Sequence, residues 1–135
     1  MAALRDLRRF VFGGNASPEG EAGEHGRRTC ASSATCAVLK IPYDGHSPTE
    51  ARAAARKVVD GWSRTRLLVW NGRYAHAVCR VIGTPFRDDL QLWFDDDEGE
   101  IYARSTSRFG RYDFGVNSTR LERLARDVRR EWERK

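Results

Sequence analysis

The chain has 135 residues, 40% hydrophobic and 32% charged, with four Trp, four Tyr and six Phe, a composition that excludes a disordered chain and suits one globular domain. Its net charge is +5, with 21 Arg among 24 basic residues, so a patch attracted to nucleic acid or an anionic membrane is open on charge alone. No apolar run approaches the roughly 18 residues of a spanning helix, and none near the start has signal-peptide length, so no transmembrane segment is expected.

Residues 2–12 (AALRDLRRFVF) form a short amphipathic segment, with Leu4, Leu7 and Val11 on one side and Arg5, Arg8 and Arg9 largely away from it. This is the pattern of an organelle presequence, although Asp6 and the brevity also fit a docking helix. Residues 13–29 (GGNASPEGEAGEHGRRT) lack apolar periodicity and are expected to be a linker or extended arm. The domain organisation is therefore an N-terminal segment and arm over 1–29 and one folded domain over 30–135.

Ser47-Pro48-Thr49-Glu50 is a helix start. Ser47 can cap, Pro48 suits the first helical position and Glu50 completes a capping box. Ala51, Ala54, Ala55, Val58, Val59 and Trp62 follow at helical spacing, and Gly61 ends the pattern near 60–63. Two strands, Leu67–Trp70 and Arg73–Ile82, flank Asn71-Gly72, a pair that favours a type I′ hairpin turn. A third strand is expected over Phe86–Phe94, and a fourth over Glu100–Thr106 after the polar turn Asp95-Asp96-Asp97-Glu98-Gly99. Strand alternation sends Asp88 and Asp89 to opposite faces. An irregular segment, 107–116, precedes a last helix for which Asn117 is the expected N-cap, with an apolar stripe of Leu121, Leu124, Ala125, Val128 and Trp132. The fold class read from this order is α+β: a four-stranded antiparallel meander with two helices packed on one face, plus an extended N-terminal arm.

The segment Phe86-Arg87-Asp88-Asp89, then Arg104-Ser105-Thr106-Ser107-Arg108-Phe109-Gly110, Asp113, Gly115, Asn117, Arg120 and Glu122 carries a continuous pattern. It resembles the domain-of-unknown-function 1499 family, whose members show F-x-D-D and then R-S-x-S-R-x-G-x-x-D-x-G-x-N-x-x-R-x-E. Upstream, Cys30 and Cys36 keep the family's Cys spacing, while Ala34, Thr35 and Ala37 stand where Pro, Asn and Val are usual. Ile41-Pro42-Tyr43 is similar to the family's next segment, so the resemblance covers about 30–125. It implies a domain, not a reaction. Family members occur in bacteria and photosynthetic eukaryotes, often with organellar or exported leaders.

The motif residues admit two chemistries. Arg104, Ser105, Ser107, Arg108, Asn117 and Arg120 could gather on a small anion at the start of the last helix, where free N–H groups and the helix dipole favour negative charge. Guanidinium forks bind carboxylate or phosphate with paired bonds, although Arg104 and Ser105 point to opposite faces of their strand. In the other reading, Asp88, Asp89, Asp113 and Glu122 pair with Arg104, Arg108 and Arg120 in a structural salt-bridge network that pins segment 107–116, with Gly110 and Gly115 at positive φ.

The remaining candidates carry less. The acidic run at 95–100 lacks the spacing of a calcium loop, and Cys30, Cys36 and His46 lack a fourth zinc ligand, so no metal or cofactor is expected. A disulfide between Cys30 and Cys36 suits an oxidising compartment. Cys79 reads as a small core residue, and His76 and Cys79 fall on opposite strand faces, which argues against a nucleophile pair. No sequence-specific nucleic-acid motif and no catalytic motif is present.

Two functions follow. The first is a non-catalytic interaction or structural subunit that docks through its N-terminal arm onto a larger protein assembly, at a mitochondrial or chloroplast membrane complex. The second is a binding protein or enzyme for a small anionic ligand, built on the R-S-x-S-R segment and the last helix. An organelle is the expected compartment, with a bacterial cytoplasm as the alternative.

Overall fold

The computed structural model describes Thr29, Cys30 and residues 32–134; the expected amphipathic segment and almost all of the arm lie outside the described residues. The elements run β1 (Cys36–Pro42), α1 (Pro48–Gly61), β2 (Thr65–Trp70), β3 (Tyr74–Arg80), β4 (Arg87–Asp95), β5 (Glu100–Ser107) and α2 (Val116–Glu133). The strands form one antiparallel sheet in the order β1-β5-β4-β3-β2. The class is α+β, but the sheet has five strands rather than four.

The added strand is β1, which lies against β5 from Cys36↔Thr106 to Pro42↔Glu100. Its sequence, CAVLKIP, does not alternate because both of its faces are covered. Ala37, Leu39 and Ile41 join the core beneath the helices, while Cys36 and Val38 join a second cluster on the other face. A strand buried on both sides loses its period-two signature. Pro42 at the last position suits an edge strand, and among the described residues β1 has a strand neighbour on one side only.

The helix α1 starts with the capping box read from the sequence: the Ser47 hydroxyl accepts from the Glu50 amide (3.1 Å) and the Glu50 carboxylate accepts from the Ser47 amide (3.0 Å). Its Ala51, Ala54, Ala55, Val58 and Val59 pack with Leu121, Leu124, Ala125, Val128 and Trp132 of α2 over Leu39, Ile41, Leu90, Leu92, Ile101 and Ala103 of the sheet. The turn at Asn71-Gly72 is not type I′. Only Gly72 takes a positive φ, 90°, and the Asn71 side chain instead accepts from the amides of Arg73 (3.0 Å) and Tyr74 (2.8 Å). An Asx-type closure of this kind satisfies the turn through a side chain. At the opposite edge, β2 shifts register between Leu67 and Val69, which leaves Leu68 exposed.

On the face away from the helices, Cys30, Cys36, Val38, Tyr74, Trp93 and Tyr102 form the second cluster, with Val69 packed against it. Cys30 and Cys36 are joined by a disulfide with a Cα–Cα distance of 5.6 Å. Cys79 is the free cysteine among the described residues and is buried in the main core, where loss of hydration pushes its thiol pKa up.

If β1 is integral to the core, Leu39→Ala should lower unfolding free energy by about 3 kcal/mol through lost burial and an unfilled cavity. Urea unfolding measures this, and a loss below about 1 kcal/mol would mean that β1 is dispensable.

Candidate functional site

Antiparallel pairing brings the start of β4, the end of β5 and the start of α2 to one end of the sheet. Asp88 and Ser107 are direct cross-strand partners there, and Asp89 pairs with Thr106. Alternation then sorts the motif into two sets on opposite faces.

The first set lies beneath α2 and centres on Asn117, which is fully buried. Its amide nitrogen donates to Asp113 Oδ2 (2.6 Å), Ser107 Oγ (2.9 Å) and the Thr35 carbonyl (3.1 Å). Its oxygen accepts from Ser105 Oγ (2.7 Å) and Arg120 Nη1 (3.0 Å). The same Arg120 nitrogen donates to Asp88 Oδ2 (2.7 Å) and Ser105 Oγ (3.0 Å). Backbone bonds extend the set, since Ser107 N–H donates to the Thr35 carbonyl (2.9 Å) and Asp113 N–H to the Ala34 carbonyl (2.8 Å). These contacts join the approach to β1, the start of β4, the end of β5 and the first turn of α2.

Asn117 is therefore not the N-cap. The helix begins two residues earlier than that cap implies, at Val116, after the N-cap Gly115 with φ 81°. Asp113 meets the capping need instead, accepting from the Gly115 amide (2.7 Å) and the Asn117 amide (3.1 Å). A left-handed Gly115 turns the chain so that Asn117, inside the first turn, points into the protein.

The second set lies on the opposite face. Arg108 grips Asp89 with two parallel bonds of 2.9 Å, and His76 Nε2 lies 2.6 Å from Asp89 Oδ1. Arg104, almost wholly buried, donates to Gln91 Oε1, and Gln91 Nε2 donates to the Tyr74 hydroxyl (3.0 Å). Glu122 enters neither set; it is exposed on α2.

The two carboxylates respond differently to burial. Loss of hydration pushes Asp88 above its ordinary pKa, and the Arg120 charge and the bonds from Arg120 and Ser107 offset only part of that. Burial would also raise Asp89, but the bonds from His76 and Arg108 outweigh it and hold that carboxyl below its usual value. The bond to Asp89 in turn raises the pKa of Arg108.

Of the motif residues singled out in the sequence, Asp88, Ser105, Ser107, Asp113, Asn117 and Arg120 come together; Asp89, Arg104 and Arg108 face away from them. The sequence reading weighed His76 only as a partner for Cys79 and gave Gln91 and Tyr74 no role, yet all three take part in the second set. The hairpin register held the signal, because His76↔Gln91 and Tyr74↔Trp93 are cross-strand neighbours and Asp89 lies two positions before Gln91 on the same face. The Thr35 carbonyl has no side-chain signature. Among the described residues, no group of three or more His, Cys, Asp or Glu is arranged to hold a metal.

These features define a small α+β domain in which a five-stranded sheet and two helices are stapled at one end by a polar cluster. A family model described as "Protein of unknown function (DUF1499)" matches residues 25–128, and the chain belongs to that family. No curated protein is matched by the chain.

Arg120→Ala would leave the Asp88 carboxylate buried without its counter-charge, so it should cost about 3–5 kcal/mol. The double variant Asp88→Leu/Arg120→Met, which removes both charges and keeps apolar volume, should be markedly more stable than Arg120→Ala. Urea unfolding of both variants checks this, and a double variant no better than the single would refute the pairing.

Asp89 supplies a pH test. Because its folded pKa lies below the unfolded value of about 3.9, its stabilisation is fully present above that value and is lost as pH falls through the folded pKa. The stability gap between wild type and Asp89→Asn should thus be constant near neutrality and shrink below about pH 4, as read by urea unfolding across a pH series.

Proposed function

We propose that this chain is a non-catalytic interaction subunit that docks onto a larger assembly, with an organellar membrane complex as the setting and the N-terminal arm as its tether. One observation carries this reading: the polar chemistry of the R-S-x-S-R segment is spent on contacts within the protein. Asn117 makes bonds to Ser105, Ser107, Asp113, Arg120 and the Thr35 carbonyl, so the groups that could have met an anion hold elements together instead. A buried polar network that is satisfied in this way favours one arrangement of the chain.

The anion-site reading finds less support. It needs Arg104 and Arg108 beside Ser105 and Asn117, yet both arginines belong to the other face, bonded to Gln91 and Asp89. Ser105 donates to an amide oxygen, which is no base, and His76 lies across the sheet from it.

Native size is the test. After gentle detergent extraction, the endogenous protein should migrate on a blue-native gel with a complex far larger than its 15.4 kDa. Deletion of residues 1–29 should release it. Migration of the full chain at monomer or dimer mass would overturn the proposal.

A further inference from the structure

The two ends of the sheet differ in charge, although Asp44, Asp96 and Glu100 at the acidic end are paired with Arg129, Arg52 and Lys40. At one end lie Asp44 and the turn with Asp95, Asp96, Asp97, Glu98 and Glu100. At the other, β2 and β4 begin and β3 and β5 end, so the segments 62–64, 81–86 and 108–115 come together. Arg64, Arg66, Arg80, Arg87 and Arg108 line one groove of about 560 Å³ at this end. Arg108 is paired with Asp89, whereas the other four form no ion pair with a described residue. Four guanidinium groups held near one another without carboxylates repel, and an external anionic surface would relieve this.

The same end exposes apolar side chains that the core does not take up. Ile82 is 69% exposed, Phe109 66% and Phe114 83%. Phe109 packs against the half-exposed Phe86 (ring centroids 5.1 Å apart), and Phe114 against the exposed Tyr112 (4.8 Å). None of these rings lines the arginine groove; they belong to the segments beside it. Aromatic and aliphatic groups next to unpaired arginines match a bilayer interface, where rings enter the headgroup layer while guanidinium groups meet lipid phosphates. A nucleic-acid strand would satisfy the arginines and could stack on Phe, but Ile82 and Leu68 offer no stacking face. No helix among the described residues is long and apolar enough to cross a membrane, so the contact would be peripheral.

We propose that this basic, apolar end of the sheet is a docking surface for an anionic lipid bilayer, with the acidic end turned away from it. The proposal does not depend on the assembly reading, because it concerns the purified chain without partners.

The experiment is co-sedimentation of the full chain with vesicles of phosphatidylcholine alone or with about one third phosphatidylglycerol, at low and high salt. The chain should bind the anionic vesicles and not the neutral ones, and binding should weaken with salt. Arg80→Ala/Arg87→Ala should lower partitioning about 25-fold, at roughly fivefold per arginine. Phe109→Ser/Phe114→Ser should lower it about tenfold or more through lost apolar insertion. All four positions are exposed, and an unchanged thermal midpoint verifies folding of each variant. Equal binding to both vesicle types, binding to neither, or anionic binding untouched by both variants would overturn the proposal. So would tighter binding to homopolymeric RNA or polyglutamate than to the anionic vesicles.

Discussion

The fold depends on keeping one charge pair out of water. Asp88 and Arg120 meet beneath α2, their side chains 3% and 11% exposed, and burying them is unfavourable unless the geometry around them is held. Asn117 and Ser105 supply that geometry by bonding to Arg120, and Asp113 and Ser107 hold Asn117 in turn. These side chains come from four places in the chain, so the pair can form only when β4, β5, the segment after β5 and α2 are all in position. That makes the cluster a check on assembly more than a large source of stability.

The same constraint explains the division of the motif. Strand alternation forces Asp88 and Ser105 under the helix and Asp89 and Arg104 to the far face, so one continuous sequence pattern serves two separate structures. On the far face, His76, Asp89 and Arg108 tie β3, β4 and the segment after β5 together. Both structures work at the same end of the sheet. Their effect there is to hold fixed the backbone from which Phe109, Tyr112 and Phe114 emerge.

Much of this was legible in the sequence, and the exceptions have physical causes. The capping box of α1 and the stripe of α2 followed from spacing, because each helix buries one face, whereas β2 to β5 followed from the turn signals between them, β3 to β5 being buried on both faces and keeping no clean periodic trace. The strand β1 left none, since Cys36 and Val38 are buried as fully as Ala37, Leu39 and Ile41. Asn117 carried the identity of a cap but not its position; the left-handed Gly115 moved the helix start back by two residues and gave the capping role to Asp113. Opposite-charge pairing in the motif was readable for Asp88 and Asp89, but which arginine met which carboxylate needed the register. Glu122 was drawn in by pattern alone, whereas it faces solvent.

The position of β1 has a consequence for how the chain acquires its structure. Cys36 is the partner of Thr106, so the first strand to be synthesised must wait for the last before its hydrogen bonds can close. The meander from β2 to β5 can zip through local hairpins, but β1 docks by a contact that spans most of the domain. Contacts of such long sequence separation carry a large loop-closure cost and form slowly. Until β5 emerges, a strand apolar on both sides stands uncovered on the nascent chain, which makes this the stage of biogenesis most exposed to aggregation.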